Sequence, residues 1–415
     1  MSELRLYNTL TGKPDEFNPR QKGRVKLFTC GPSVYRRQHL GNYRTYLFED
    51  VLQKYLEYAG YKVDRVINFT DIEDKAIEEA RQKGVSVVDL RRPVEEAFFR
   101  ECGMLKIQLP DEIPRATTSV ESAVDIIERL VDRGHAYRHE GEVFYDPLTY
   151  DGFGRIYGLD MSQWPEKKVR FYQDTYPGQR WNLGDFILWH KCREQDGDNC
   201  WETAIGRGRP AWNIQDAGMI AKHLGPEIDI HTGGIDNLYR HHDYTLAIME
   251  GAFKTEFCPW WLHGGHLLVD GEKMSKSKGN VTFVDDLLEQ GFYPRHIRFF
   301  LLYGPYREKL DMRISRIEER AGHLDRVRRL AGSLFSRDTE DARATEVDLA
   351  AEMRTAFEKR MNDNLDYAGA FDAVAEHLVR AVQVDHTSGI PPRARAELNA
   401  VVTDADRIFG VLGCG

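Results

Sequence analysis

Strand–helix alternation occurs twice in this sequence, in two stretches set far apart, and a parallel sheet assembled from both is the architecture that satisfies it. Arg24 to Cys30 (RVKLFTC) reads as a β run ending in Cys30-Gly31-Pro32, and a helical stretch from about Asn42 to Ala59 follows, stopped by Gly60. A second strand, Lys62 to Asn68 (KVDRVIN), leads through a polar turn at Thr70-Asp71 into a helix from about Asp74. Strand, helix, strand, helix with short links predicts a parallel α/β sheet, with its ligand crevice at the first strand-to-helix junction. The alternation resumes with Ile228 to Thr232 (IDIHT), a turn at Gly233-Gly234 and a helix from about His241 to Gly251.

Between these stretches, from about Pro93 to Arg209, one amphipathic helix (Thr117 to Arg133) is followed by short strands, aromatics and glycines, which reads as an insertion. From about Ile317 the chain favours helix, with a polar, acidic link near Arg337 to Glu346 and a Gly-Ile-Pro-Pro break at Gly389 to Pro392. Four parts follow: a first half of the sheet domain (1–92), the insertion (93–209), a second half (210–316) and a helical bundle (317–415).

At 415 residues, 41% hydrophobic and 30% charged, the chain can bury two or three packed units and lacks the biases of collagen-like, disordered or disulfide-scaffold proteins. No run approaches about 18 apolar residues and the start, MSELRLYNTLTGKPDEF, has no signal-peptide core, which predicts a cytoplasmic protein with no membrane partner. Cys30, Cys102, Cys192, Cys200, Cys258 and Cys414 are sparse and irregularly spaced, so reduced thiols are expected. The net charge of −9 supplies no general attraction for nucleic acid, so any such binding needs a local patch.

Two strings carry chemistry. His39-Leu40-Gly41-Asn42 stands at the start of the first helix, where open backbone N–H groups and the positive helix end favour phosphate and Gly41 permits close approach. Lys273-Met274-Ser275-Lys276-Ser277 places two lysines three residues apart with interleaved hydroxyls, a cationic clamp suited to a phosphoryl-transfer transition state. Either string alone reads as an ordinary surface loop. Their joint occurrence in this order makes the blander reading untenable.

Together the two strings resemble the signatures of the class I aminoacyl-tRNA synthetases, and specifically of the cysteinyl-tRNA synthetase family. Similar to that family are also Cys30-Gly31-Pro32-Ser33-Val34-Tyr35, Asn68 to Lys75 (NFTDIEDK), Gly208 to Trp212 (GRPAW), Asp229 to Asp236 (DIHTGGID) and the pair His241-His242. The likeness runs from about Leu6 to near Val374. It implies a Rossmann-like catalytic domain in two halves, an inserted connective domain and a C-terminal helical bundle, in a monomer. It implies that an amino acid is activated by ATP as aminoacyl-AMP and passed to tRNA. His39 and Asn42 would then hold phosphate oxygens, and Lys273 and Lys276, with Mg²⁺, would stabilise the leaving pyrophosphate. Gly31, Gly41, Gly233, Gly234 and Ser275 would lie along the ATP, while Thr70, Trp212, His231 and Asp236 line the amino-acid and adenylate pocket.

The sequence departs from the family at the zinc that grips the cysteine substrate, held there by two cysteines, a histidine and a glutamate. Cys30 matches the first cysteine and His241 the histidine, but the second cysteine falls on Asp216 and the glutamate on Thr245. Asp216 can ligate zinc through oxygen; Thr245 is a poor ligand, so Cys30, Asp216 and His241 would form a bare site. Without metal, a buried Asp216 needs a cation, and a non-cysteine amino acid could supply one. The chain also ends at Gly415 soon after its last helical stretch, leaving little room for the family's anticodon-recognising domain, and from Ile317 onward 13 Lys/Arg stand against 18 Asp/Glu. Two further readings follow: a tRNA-independent amino acid:amine ligase, like the relative that makes a cysteine amide in mycothiol synthesis, and a non-catalytic tRNA-binding paralogue. Intact His39, Lys273 and Lys276 speak against the last.

Overall fold

The structure is a computed structural model that describes residues 3–159, 161, 185–274, 279–336 and 348–413. Ser275, Lys276 and Ser277, the link Arg337 to Glu346, and Cys414 lie outside the described residues.

Among the described residues, four parallel strands from both alternating stretches make one sheet, in the order Trp260–Gly264, Ile230–Gly234, Arg24–Thr29, Lys62–Ile67. Successive side chains of a strand point to opposite faces, and here both faces are covered. Val25 and Leu27 enter a core shared with the helix Leu40–Tyr58. Phe28 enters a second core with Trp261 and the helix Val120–Asp132. That double burial is why Leu27 and Phe28 stand side by side as apolar neighbours instead of alternating with polar residues. After Arg24–Thr29 the chain crosses to Lys62–Ile67 on one side, and Ile230–Gly234 pairs on the other, so the strand order reverses at the first strand. A crevice beyond the C-terminal strand ends is the usual consequence of such a reversal.

Between the two stretches that build the parallel sheet, the chain forms an antiparallel sheet, Ala136–His139, Glu142–Tyr145, Phe186–Lys191, Gly208–Pro210. The change of pattern read at Pro93 falls inside the helix Val87–Met104, which carries that proline in its interior. The C-terminal helices Ile314–Phe335, Leu349–Met361, Tyr367–Ser388 and Pro392–Phe409 continue the first core. Arg298 fastens them: fully buried, it donates to Asp50 at 2.7 Å and to the carbonyls of Leu105, Ile408 and Phe409. No described helix is long and apolar enough to cross a membrane.

One expectation is corrected. Cys192 and Cys200 are not free thiols but a disulfide, with Cα atoms 5.8 Å apart. Lys191 and Trp201 both pair with Gly208, and this brings their cysteine neighbours together. The eight-residue separation in sequence gives no hint of that pairing. Cys30, Cys102 and Cys258 are free thiols, as expected, and the structure buries all three.

Candidate active site and metal-ligand cluster

A cavity of about 320 Å³ opens at the crevice. Of the residues expected along the nucleotide, Gly31, His39, Gly41, Asn42, Gly234 and Lys273 line it. Of those expected at the amino acid, Cys30, Thr70, Trp212, Asp216, Asp236 and His241 do. Gly233 and His231 are not among the lining residues. The space beside Gly233 is filled by the His242 ring, 2.7 Å from where a Cβ would stand. His231 is completely buried and stacks on Trp261, with ring centroids 4.5 Å apart; burial pushes its pKa down to about 3.

Local sequence explains the placement. His39 is the extended residue before the helix Leu40–Tyr58, and its backbone N–H donates to Asn42 Oδ1 at 3.0 Å, so Asn42 closes the helix start beside the cavity. On the facing side Asp270 and Gly271 have φ of 49° and 82°, the left-handed pair of a two-residue hairpin turn. The resulting hairpin, Leu267–Val269 with Glu272–Lys273, carries Lys273 to the crevice, where its Nζ lies 3.9 Å from Asp236. Both partners are more than half exposed, so this pair adds little stability and leaves the ammonium able to turn toward a phosphate. Gly31 is fixed by close approach: a Cβ there would lie 1.8 Å from the Asn68 carbonyl oxygen.

At the inner end of the cavity, Cys30, Asp216 and His241 converge as the sequence suggests. Cys30 Sγ donates to Asp216 Oδ2 at 3.4 Å, His241 Nε2 lies 2.8 Å from the same oxygen, and Asn68 Nδ2 donates to Asp216 Oδ1 at 3.0 Å. Burial works to raise the Asp216 pKa, but the His241 imidazole beside it holds the carboxyl below its usual range. Burial and the Asp216 charge together push the Cys30 thiol well up. Both carboxylate oxygens of Asp216 therefore have partners within the protein. Thr245 does not join the cluster: its hydroxyl donates to the His241 carbonyl at 2.9 Å, in the turn just ahead of its helix. As a zinc site the donors fit in part, with a thiol, a carboxylate and an imidazole already together in a buried setting.

Several residues at the site were assigned no role from the sequence. His242 Nε2 lies 3.2 Å from Cys30 Sγ, His242 Nδ1 lies 2.7 Å from His263 Nε2, and His263 Nδ1 lies 2.8 Å from Thr9 Oγ1. Beneath them Glu49 accepts from Thr232 Oγ1 at 2.8 Å; burial drives its pKa up to about 8 against the pull of Arg65. Adjacency to His241 was a usable signal for His242. Glu49, His263 and Thr9 sit on a helix, a strand and a turn far apart in the chain and leave no pattern in it.

With this geometry in place, comparison with known proteins is consistent throughout. The family model for the tRNA synthetases class I (C) catalytic domain matches residues 16–321. The cysteine–tRNA ligase of Leptospira interrogans serovar Lai is 34% identical over 418 residues, covering 99% of this chain and 88% of that protein. The cysteine–tRNA ligase of Brachyspira hyodysenteriae is 37% identical over 360 residues, covering 86% and 76%. Among solved structures, Mycobacterium tuberculosis methionyl-tRNA synthetase in complex with methionyl-adenylate shares the fold, with a TM-score of 0.66 at 16% identity over 94% of this chain and 90% of that one. The leucyl-tRNA synthetase of Agrobacterium radiobacter in its ternary complex superposes with a TM-score of 0.64 at 11% identity, covering 96% and 87%. A split parallel sheet, a cavity at its switch point and this likeness over almost the whole length lead to one conclusion: the chain belongs to the cysteinyl-tRNA synthetase family of class I aminoacyl-tRNA synthetases.

Proposed function

We propose that the protein is an ATP-dependent ligase that activates cysteine as its adenylate and transfers it to tRNA. The observation that carries this reading is that His39, Asn42 and Lys273, from stretches far apart in sequence, border one cavity with Cys30, Trp212 and His241. In the first step the amino-acid carboxylate attacks the α-phosphorus of ATP, forming the mixed anhydride and breaking the bond to pyrophosphate. In the second a ribose hydroxyl of the tRNA end attacks the activated carbonyl and AMP departs. The protein's share is positioning and charge. The start of the helix Leu40–Tyr58, with His39 and Asn42, orients phosphate oxygens, and Lys273, with Lys276 of the same string, neutralises the charge that develops on pyrophosphate. Bound Mg²⁺ would add charge neutralisation at the phosphates. Zinc, held by Cys30, Asp216 and His241, would supply a soft Lewis acid for a substrate thiolate. Trp212 stacks on His241 with centroids 4.2 Å apart and fixes the imidazole plane. On this reading the protein would work where ATP and tRNA are at hand, in the cytoplasm.

The test is pyrophosphate exchange over all amino acids, followed by charging of bulk tRNA with and without ribonuclease. Cysteine-dependent exchange and a nuclease-sensitive product are expected. Exchange driven by another amino acid would overturn the cysteine assignment. A nuclease-resistant amide would overturn tRNA as acceptor, and loss of all exchange in the folded protein would overturn the ligase.

A further inference from the structure

We propose that Arg37 is a positioning residue for adenylate formation. It clips the segment 280–285, which follows the lysine string, to the loop that leads into His39, and so fixes Lys273 against the start of the phosphate-binding helix. The inference rests on the ligase reading and adds to it a residue outside both strings.

Arg37 stands shortly before His39 and borders the same cavity. Its guanidinium reaches two further elements at once. Nε donates to Glu101 Oε1 at 2.8 Å, on the helix Val87–Met104. Nη2 donates both to Glu101 and to Asp285, in the first turn of the helix Val284–Glu289. The guanidinium also lies over the Phe283 ring, 5.2 Å from Cζ to the centroid. The Glu101 side chain is wholly buried, and a buried carboxylate keeps its charge only beside a cation. Arg100 reaches the same two carboxylates at 3.3 and 3.2 Å, so two guanidinium groups offset two carboxylates at this corner. Of the two arginines, Arg37 is the one that belongs to the loop before His39. Its planar fork suits a span across both carboxylates, which the compact ammonium of a lysine does not.

Both sides of the clip are themselves anchored. Within the loop, Gln38 Nε2 donates to the carbonyls of Ser33 and Arg36 at 3.2 and 2.9 Å, and the Tyr46 hydroxyl donates to Gln38 Oε1 at 3.3 Å. On the segment, the Thr282 carbonyl accepts from the N–H of Leu40, the first residue of the phosphate-binding helix, at 3.0 Å. Asn280 Nδ2 donates to the Lys273 carbonyl at 3.3 Å. A run of contacts therefore leads from Arg37 through Asp285 and its neighbours to the backbone of Lys273. The ion pair of Lys273 with Asp236 is exposed and holds the side chain weakly, so the ammonium is placed chiefly by the backbone that carries it. Misplacing a group by about 1 Å can cost about a hundredfold in rate, so Arg37 can govern the reaction without touching substrate.

Pyrophosphate exchange by the full chain, with ATP varied at saturating cysteine, and deuterium uptake by the unliganded protein test the assignment. Arg37→Ala and Asp285→Ala should each lower kcat about tenfold while KM for ATP stays within about twofold, and the double variant should lose no more than the worse single one. Arg100→Ala, which takes a charge from the same carboxylates without freeing the loop, should lose less than about twofold. Asp285 is partly exposed, so its variant keeps the fold and carries the test even where Arg37→Ala does not fold. In both single variants the amides of Leu40 and of 280–286 should take up deuterium faster, with the C-terminal helices unchanged. Wild-type kcat in Asp285→Ala, losses that multiply in the double variant, an equal loss in Arg100→Ala, or unchanged uptake would each overturn the proposal. A tenfold rise in KM for ATP in Arg37→Ala would make Arg37 a direct ligand and overturn it too. Wild-type protein without exchange would count against the ligase reading, and the uptake measurement would still decide whether Arg37 holds the segment.

Discussion

The Asp216 carboxylate lies 2.8 Å from His241 Nε2 and also takes hydrogen bonds from Cys30 and Asn68, which makes it the hub of the buried end of the cavity. Removing a carboxylate from such a setting leaves its donors without an acceptor. In chelator-treated protein, Asp216→Ala should lower the unfolding free energy by about 3 kcal/mol, and Asp216→Asn by less, because the amide oxygen still accepts. Urea denaturation of the three proteins measures the difference.

Lys273 stands at the opposite end, loosely held by Asp236. Lys273→Ala should slow pyrophosphate exchange about a hundredfold, as for loss of one preorganised charge at a transition state. Unfolding free energy should change by less than about 0.5 kcal/mol, because the ion pair is exposed. Exchange kinetics and thermal melting together separate the two effects.

Glu49 sets a pH dependence. Its pKa in the folded protein is about 8 against an ordinary value of 4.5, so between those values the folded state holds a proton that the unfolded state releases. The stabilising contribution is full at acid pH and is lost as pH rises through about 8. Relative to Glu49→Gln, the wild-type protein should lose about 3 kcal/mol between pH 6 and pH 9, read from urea unfolding at each pH.

The Cys192–Cys200 disulfide closes a short loop beside the antiparallel sheet, whose Asp196 pairs with Arg209 at 3.0 Å near the start of the helix that bears Trp212 and Asp216. Replacing both cysteines by serine should cost about 2–3 kcal/mol. Unfolding measured with and without reductant checks this, since reductant should lower the wild type to the level of the variant and leave the variant unchanged.

Gly31 has no room for a side chain beside Asn68. Gly31→Ala should push the Cys30 segment away from the strand Lys62–Ile67 and cost more than about 3 kcal/mol, with loss of exchange. Circular dichroism melts and exchange assays report the two losses.

Much of the site was legible before any coordinates. His39, Asn42 and Lys273 belong to contiguous strings whose chemistry is local, and Cys30, Trp212 and His241 lie in strings specific enough to carry over one by one. Asp216 was visible as an exchange of residue type, but its partners were not. Whether its charge is answered by His241 and Asn68 or by a substrate depends on distances between three elements. The Asp270-Gly271 turn, which no expectation used, explains how Lys273 reaches the crevice.

The linear order of residues determined the elements, their alternation and the strings that face the nucleotide, because helix and strand periodicity and turn chemistry act over a few residues at a time. Tertiary structure decided the rest. The approach of His242 to Cys30, the burial of Glu49 under Thr232 and the joining of Cys192 to Cys200 all come from packing between segments distant in the chain or from a local strand register. Such contacts are fixed by the closing of a whole core and leave no periodic trace in any one of the segments that make them.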